Sequence, residues 1–235
     1  MTWTPDAVAE LDEASRKITL KLVYYGPALS GKTTNLMRLH DLLPASARGE
    51  LMTLETQNDR TLFFDLRPLV DRTLFFDLLP LGLRAPSGWL IKAKLFTVPG
   101  QVAHDATRKA VLSRADGVVF VADSQVTQGE NNAQSFENLE DSARRVGLDF
   151  ETLPLVVQFN KRDLPNAVAE ADVRERWGGA PWPLAFASAL SGDGVRETFS
   201  KLLDQVYPAL DRACDLATRH GLDRAAFRRM AGGES

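Results

Sequence analysis

Residues 26–33 read Gly-Pro-Ala-Leu-Ser-Gly-Lys-Thr: a glycine, four variable residues, a second glycine, a lysine and a hydroxyl residue. This spacing is typical of a phosphate-binding loop, because the two glycines allow a tight turn that aims backbone N–H groups at one anion. Residues 18–25 alternate like a strand, and residues 33–43 carry leucines at helical spacing. Strand, glycine loop and helix in this order predict a nucleotide-binding site.

The residue types within the loop predict how a nucleotide is held. Lys32 is expected to reach the β- and γ-phosphates, and the hydroxyl of Thr33 is placed to hold Mg²⁺. Backbone groups supply further contacts. The predicted nucleotide-binding residues of this loop are therefore Gly26, Ala28, Leu29, Ser30, Gly31, Lys32, Thr33 and Thr34.

Composition places the chain among globular proteins and excludes several classes. It has 235 residues, 44% of them hydrophobic, which is enough for one large domain with short extensions. A formal net charge of −3 argues against general nucleic-acid binding. The sequence has no apolar run of membrane-spanning length, so no integral membrane segment is expected. The single cysteine, Cys214, excludes an intramolecular disulfide and suits the cytoplasm.

Strand and helix patterns alternate along the chain, which predicts an α/β fold with three layers. Residues 117–122 and 155–159 are continuous apolar runs, as expected of parallel strands covered on both faces. The predicted sheet is mixed but mostly parallel, with helices on both faces, and residues 44–60 are predicted to form a loop. We expect residues 1–16 to be an N-terminal extension, residues 17–210 the domain and residues 211–235 a C-terminal tail.

Residues 59–82 contain a tandem duplication. Both copies, residues 59–70 and 71–82, begin Asp-Arg-Thr-Leu-Phe-Phe-Asp-Leu and differ at only two of their twelve positions, Arg67 against Leu79 and Val70 against Gly82. Two copies of twelve residues are too few and too short for a solenoid. An exposed Leu-Phe-Phe segment invites pairing with other strands, so the surplus copy is expected to be covered.

Residues 160–163, Asn-Lys-Arg-Asp, follow the second buried run, at the sheet edge where ligands bind. The Asp163 carboxylate can accept both N1–H and N2–H of guanine, a donor pair that adenine lacks, so the wrong base leaves a polar group unpaired. Asn160 is expected to tie this loop to the phosphate loop, and the stem of Lys161 to cover the base. A backbone N–H for guanine O6 is expected from the segment after the last strand, Ser188, Ala189 and Leu190.

Taken together, these motifs resemble the small Ras-like GTPases and, within them, the MglA family of bacterial polarity and gliding-motility GTPases. The resemblance covers roughly residues 17–207. It rests on Val-Tyr-Tyr-Gly-Pro at 23–27, Gly-Lys-Thr-Thr-Asn-Leu at 31–36, Arg-Thr-Leu-Phe-Phe-Asp at 60–65, Thr-Val-Pro-Gly-Gln-Val at 97–102, Gly-Val-Val-Phe-Val-Ala-Asp-Ser at 117–124 and Asn-Lys-Arg-Asp-Leu-Pro-Asn-Ala at 160–167. It implies a small GTPase G domain that binds Mg²⁺ with GTP or GDP.

The resemblance also implies catalytic roles. Gln101, which follows Pro99 and Gly100 at the nucleotide, looks like the glutamine that orients the attacking water. Most small GTPases carry an aspartate where Thr97 stands, whereas MglA-type proteins carry threonine. This departure implies a metal shell that rests more on Thr33 and on a threonine of the switch segment.

The family draws an arginine finger from the segment that is duplicated here. Such an arginine neutralises charge on the transferring phosphoryl group and is worth about 10³- to 10⁵-fold in rate. Arg60 and Thr61 keep the family's distance from the phosphate loop, whereas Arg72 and Thr73 keep its distance from residues 97–101. The sequence does not decide which pair enters the nucleotide site. We favour Arg60 and Thr61 for the site, with Arg72 and Thr73 pairing into the sheet. The candidate catalytic residues are Gln101, Arg60 and Arg72, and the candidate metal ligands are Thr33, Thr61 and Thr73.

The sequence therefore predicts a cytoplasmic, Mg²⁺-dependent molecular switch that hydrolyses GTP slowly by itself. The resemblance implies a roadblock-fold activator similar to MglB, an output in cell polarity or motility, and recruitment to a cell pole through partners. One alternative is a guanine-nucleotide-binding scaffold without turnover, in which the duplication moves the switch segment away from the nucleotide. A weaker alternative is an ATP-using phosphotransferase, against which Asp163 argues.

Overall fold

The computed structural model describes residues 9–55, 75–99 and 105–232. Strands and helices alternate through most of these residues. In chain order they are β1 (Glu10–Asp12), β2 (Lys17–Tyr25), α1 (Lys32–Leu42), β3 (Met52–Glu55), β4 (Phe75–Arg84), β5 (Leu90–Thr97), α2 (Asp105–Leu112), β6 (Gly117–Asp123), α3 (Gly129–Arg145), β7 (Leu155–Asn160), α4 (Glu170–Trp177), β8 (Leu184–Phe186), α5 (Val195–Cys214), α6 (Leu216–His220) and α7 (Arg224–Arg228). Short 3-10 helices precede α3 and follow α7.

The strands of the described residues form one eight-stranded sheet with the order β3-β4-β5-β2-β6-β7-β8, and β1 pairs with the start of β2. The strands from β5 to β8 along this order run parallel. At the other edge, β4 is antiparallel to both of its neighbours, β3 and β5. Helices α1 and α5 cover one face, and α2, α3 and α4 cover the other. The predicted α/β class, with a mixed and mostly parallel sheet between helices, is confirmed.

The two continuous apolar runs form β6 and β7, which are buried along their whole length. Both strands lie inside the sheet with helices on each face, so neither side of the strand meets water. Their carboxyl ends, with that of β2, form one edge of the sheet. The loops that carry the predicted nucleotide-binding motifs leave the sheet at this edge.

The prediction of a loop over residues 44–60 is wrong in part, because these residues contain β3. This strand, Met-Thr-Leu-Glu, pairs with β4, where Met52 lies opposite Leu78. β4 in turn contains most of the second copy of the duplication, from Phe75 onward. The first copy, residues 59–70, and residues 71–74 lie outside the described residues.

The segment predicted as a tail packs on the domain. Helix α5 continues to Cys214, so the predicted boundary after residue 210 falls inside a helix. The apolar side chains that follow are buried in the same cluster as α1 and α5; they are Leu216, Leu222, Phe227 and Met230. The hydroxyl of Tyr207 on α5 donates to the carbonyl oxygen of Leu222 at 3.0 Å, which fixes the turn between α6 and α7.

Helix α6 ends against the turn that joins β4 to β5. The imidazole of His220 lies 4.8 Å from the ring of Trp89 between ring centres, and its Nδ1 is 2.9 Å from Ser87 Oγ. His220 is buried, with 1% of its surface exposed. No helix of the described residues is both long and apolar enough to cross a membrane.

Candidate nucleotide-binding site

The phosphate-binding loop connects β2 to α1 and packs closely on the neighbouring strands. Gly26 has a φ of +143°, and a Cβ there would overlap the carbonyl oxygen of Val121 on β6. Gly31 has a φ of +97°, and a Cβ there would overlap Nδ2 of Asn160. Only glycine fits both the backbone angles and the space at these two positions. The loop therefore places the N-terminus of α1 at the carboxyl edge of the sheet. A helix N-terminus favours the binding of anions.

Lys32 at the start of α1 folds back over its own loop. Its Nζ donates to the carbonyl oxygens of Gly26 at 3.0 Å and Pro27 at 2.6 Å. Burial, together with the positive charge of Arg108 on α2, lowers the pKa of Lys32 to about 8, although the carboxylate of Asp77 acts in the opposite direction. An ammonium group carries three protons, so one remains for an anion at the helix start.

Thr33, the predicted metal ligand of the loop, contacts a carboxylate that the sequence did not suggest. Its Oγ1 donates to Oδ2 of Asp77 on β4 at 2.6 Å. Asp77 is buried and accepts two further hydroxyl protons, from Thr97 on β5 at 3.0 Å and from Thr53 on β3 at 2.9 Å. Its backbone N–H also donates to Thr97 Oγ1 at 2.9 Å. A carboxylate thus lies beside Thr97, the residue that stands where most small GTPases carry an aspartate.

Oxygen atoms beside a helix start suit Mg²⁺, which prefers oxygen ligands and usually takes one or two from the protein and the rest from phosphates and water. Within residues 9–55, 75–99 and 105–232 there is no cluster of three or more histidine, cysteine, aspartate or glutamate side chains that could hold a metal by itself. The Thr33 and Asp77 pair therefore fits a metal that is shared with a phosphate ligand.

Asn160, at the end of β7, joins three segments of the site. Its Nδ2 donates to the carbonyl oxygen of Ser30 in the phosphate loop at 2.8 Å. Its Oδ1 accepts the backbone N–H of Ala189, after β8, at 2.9 Å. The side chain is 2% exposed. Asn160 thus accepts the backbone N–H of Ala189, and the contact of residues 188–190 with guanine O6 stays a prediction.

Lys161 and Asp163 leave the sheet next to Asn160. Lys161 has a φ of +66°, and its Nζ forms a 2.6 Å ion pair with Asp123 at the end of β6. This ion pair holds the head of the Lys161 side chain at the end of β6, and the contact of its stem with a base stays a prediction. Asp163 is exposed in the following turn, where its carboxylate faces solvent.

The remaining predicted residues lie at different depths. Ser30 and Ser188 are buried, Thr34 and Pro99 are half-buried, and Ala28 is exposed. Leu29, with a φ of +61°, is 88% exposed, and Leu190 is 69% exposed. The other predicted site residues lie outside the described residues, so their roles remain predictions: Arg60, Thr61, Arg72, Thr73, Gly100 and Gln101.

Comparisons of sequence bear on the family. A family model described as the ADP-ribosylation factor family matches residues 90–206. The chain is 42% identical over 202 residues to the mutual gliding-motility protein MglA of Myxococcus xanthus, which covers 86% of this chain and 97% of that protein. It is 27% identical over 126 residues to ADP-ribosylation factor-like protein 6 of Caenorhabditis briggsae (49% of this chain, 63% of that protein) and 28% identical over 116 residues to ADP-ribosylation factor-like protein 4A of Homo sapiens (46% and 56%).

The likeness to the Myxococcus protein runs over nearly its whole length, whereas the likeness to the two factor-like proteins covers about half of this chain. The matched region of the longer comparison is large enough to include a complete G domain with its phosphate loop. The chain therefore belongs to the MglA-type family of small GTPases, which are GTP-hydrolysing enzymes.

Proposed function

We propose that this chain is a guanine-nucleotide switch, which binds Mg²⁺ with GTP and returns to a GDP form after hydrolysis. The observation that carries this proposal is the pair of contacts made by Asn160. They hold the phosphate loop, the Asn-Lys-Arg-Asp loop and the segment after β8 together at one sheet edge. A ligand with phosphates at one end and guanine at the other matches this arrangement.

Thr33 is the proposed protein ligand of the metal, and Asp77 supports it from outside. When the Thr33 hydroxyl donates its proton to Asp77, its lone pairs remain for a cation, an arrangement common around metal ligands. Mg²⁺ bound there would neutralise charge on the phosphates during transfer. Thr61 or Thr73 is proposed to supply a second hydroxyl from the switch segment.

The proposed catalytic groups are Gln101, for the attacking water, and an arginine of the duplication. The position of Asp77 now favours Arg72 and Thr73 over Arg60 and Thr61, which reverses the preference from the sequence. Four residues of chain span at most about 14 Å, so Thr73 lies within short reach of the carboxylate that contacts Thr33. Thr61 lies sixteen residues before Asp77 and eight after Thr53, which contacts the same carboxylate, so the chain restricts its position less than that of Thr73.

Identifying the nucleotide and following a single turnover test this proposal. We expect GDP to be released when the freshly purified protein is denatured, and Asp163→Asn to lose guanine selectivity. Gln101→Leu should bind GTP but not hydrolyse it, and Lys32→Ala should lose turnover. Arg72→Ala should slow hydrolysis strongly while Arg60→Ala, a matched change in the other copy, should not. Bound adenine nucleotide, or normal hydrolysis by Gln101→Leu, would contradict the proposal.

We further propose that the switch regulates cell polarity or motility in the cytoplasm, with a roadblock-fold activator that could bring it to a cell pole. The Myxococcus relative is named for gliding motility, which supports this process. Adding the roadblock-fold protein of the same organism should accelerate single-turnover hydrolysis, whereas a roadblock-fold protein from an unrelated pathway should not. Equal rates with both proteins would rule out the activator but leave nucleotide binding standing.

A further inference from the structure

A buried glutamine lies two residues before Asn160 on β7. Gln158 is 0% exposed, and its Nε2 donates to Oδ1 of Asn35 at 2.9 Å and to Oγ1 of Thr198 at 2.8 Å. A glutamine amide has two N–H protons, so both are used. Asn35 belongs to α1 and Thr198 to α5. One side chain therefore joins the two helices that cover this face of the sheet.

The two partners of Gln158 continue the connection toward the nucleotide site. Asn35 Nδ2 donates to the carbonyl oxygen of Gly31, in the phosphate loop, at 3.0 Å. Thr198 Oγ1 donates to the carbonyl oxygen of Gly194 at 2.8 Å. Gly194 follows directly on the segment of residues 188–193, which closes on itself where the N–H of Ser188 donates to the carbonyl oxygen of Asp193. The network thus begins and ends at two loops of the site.

Gln158 repeats the connection that Asn160 makes. Side chains two residues apart on a strand point to the same face, so both amides project toward the layer of α1 and α5. Asn160 joins Ser30 to Ala189 at the sheet edge, and Gln158 joins α1 to α5 one step deeper. The phosphate loop and the segment after β8 are therefore connected twice across β7.

The chemistry of Gln158 argues for a role beyond filling the core. Its Oε1 is buried and has no hydrogen-bond partner among the described residues. A buried acceptor without a partner costs stability, and an apolar side chain of the same size would avoid that cost. The two directed donor bonds are what the glutamine adds, and their effect is to fix α1 relative to α5.

We propose that Gln158 is a positioning residue, which sets the spacing between the phosphate-binding loop and the guanine-binding loops; this rests on the proposed nucleotide site. A nucleoside diphosphate contacts both ends at once, so its affinity depends on how well that spacing is held. A ligand that contacts only one end does not report this spacing. Loss of Gln158 should therefore weaken the whole nucleotide more than either of its parts.

The test compares Gln158→Met with the natural chain, because methionine keeps the length of the side chain and removes both donors. We expect GDP to dissociate about 10- to 100-fold faster, as two buried hydrogen bonds are lost. The affinities for guanosine and for inorganic pyrophosphate, measured separately by NMR titration, should change by less than about threefold. Thr198→Val, which breaks one arm with little change of shape, should give a smaller increase in the GDP off-rate.

Val157→Ala is the matched control, because Val157 is equally buried on the same strand but faces the opposite apolar layer. Val157→Ala should lower the melting temperature. It should not weaken the binding of GDP more than the binding of guanosine or of pyrophosphate. If Gln158→Met releases GDP at the natural rate, Gln158 has no positioning role. The same conclusion follows if the affinities for guanosine and for pyrophosphate fall as much as the affinity for GDP. If the natural chain binds no GDP, the proposed function fails instead. If Gln158→Met does not fold, the GDP off-rate of Thr198→Val tests the proposal instead.

Discussion

At the scale of single residues, Asp77 connects three structural elements through hydroxyl groups. Its carboxylate accepts protons from Thr33 on α1, Thr97 on β5 and Thr53 on β3. Three accepted bonds compensate for the loss of water around a buried carboxylate. The same bonds orient Thr33, so β4, which contains most of the second copy of the duplication, is connected to the proposed metal ligand.

Asp77→Asn should therefore weaken Mg²⁺ binding while the nucleotide site stays folded. Asparagine keeps the shape, but one of its two side-chain polar atoms becomes a donor, so Thr33 loses part of its support. Changes of this kind around a metal ligand typically cost about 10- to 100-fold in metal affinity. The rate of GDP release, measured against free Mg²⁺ concentration, reports this affinity.

Asp41→Asn makes the same chemical change on an exposed side chain near the end of α1 and serves as the control. It should leave the Mg²⁺ dependence unchanged. An Asp77→Asn protein with the natural Mg²⁺ dependence would show that Asp77 acts only in the fold.

The sequence could predict site residues whose spacing is local, but not Asp77. Residues 26–33 and 160–163 form short motifs that are recognisable from the sequence alone. The contact of Asn160 with Ser30 follows from the order of the strands. Asp77 lies 44 residues from Thr33 and 20 from Thr97 along the chain. Its position depends on the antiparallel register of β4 on β5, which sets Leu78 opposite Phe96. No local pattern carries that register.

At the scale of elements, the two copies of the duplication compete for one place in the sheet. The structure has the second copy in β4, where Leu79 is 0% exposed in the apolar core. The residue of the first copy that corresponds to Leu79 is Arg67. An arginine at that place would bury an unpaired charge, so this one difference is enough to select the second copy. The corresponding change of Gly82 to Val70 is mild, because a Cβ at Gly82 would meet only Leu90, at 3.5 Å.

Leu79→Arg should destabilise the domain by at least about 3 kcal/mol, since the guanidinium has no anionic partner in the core. Adding Arg67→Leu to it should restore most of the stability, because the first copy can then enter β4. Urea unfolding measures the stability, and hydrogen exchange of peptides from residues 59–70 and 71–82 identifies the protected copy.

Arg67→Leu alone is the control and should leave the stability close to that of the natural chain. If the double variant stays as unstable as Leu79→Arg, or protection stays with the second copy, Arg67 does not select the register.

Strands with strong local patterns were predictable, and strands set by tertiary pairing were not. The apolar runs of β6 and β7 indicate buried parallel strands by composition alone. β3 was missed because an edge strand of four residues with two polar side chains has no clear period. β4 contains Pro80, which normally argues against a strand. Its missing N–H faces the irregular segment around Gly49, so no regular ladder bond is lost there.

At the scale of the whole molecule, α6 and α7 extend the core beyond the G domain predicted from sequence. Phe227 and Met230 enter the same cluster as Leu36 of α1. His220 lies between Trp89 and Ser87, so the C-terminal helices contact the turn that connects β4 to β5. Stability of this contact should therefore depend on the charge of the imidazole.

The stability of the chain should fall as the pH drops below about 6.5. Burial and the charge of Arg219 lower the pKa of His220 in the folded protein. Between its lowered folded value and its ordinary value, the unfolded chain binds the proton and the folded chain does not. Falling pH then favours unfolding. Thermal unfolding from pH 7.5 to 5.5 should show this loss, and His220→Phe, which keeps an aromatic ring on Trp89, should lessen it.

Asp116 changes the stability with pH in the opposite direction to His220. The effect of His220 is therefore measured by comparing a variant with the natural chain. Burial raises the pKa of Asp116 to about 6, so its protonation stabilises the folded chain as the pH falls toward 4. The difference between His220→Phe and the natural chain isolates the histidine. His40→Gln, which removes an imidazole from α1, is the control. Identical pH profiles for His220→Phe and the natural chain would show that His220 titrates without affecting folding.

The duplication also has a consequence for the chain as a polymer. Nineteen residues, 56–74, connect β3 to β4, and a single copy would leave a connection twelve residues shorter. The entropy lost on closing a connection grows only with the logarithm of its length, so the extra copy costs about 0.9 kcal/mol. One arginine misplaced at Leu79 would cost several times more. The sheet therefore tolerates the added length easily, and the choice between copies is made by side-chain burial and not by the length of the connection.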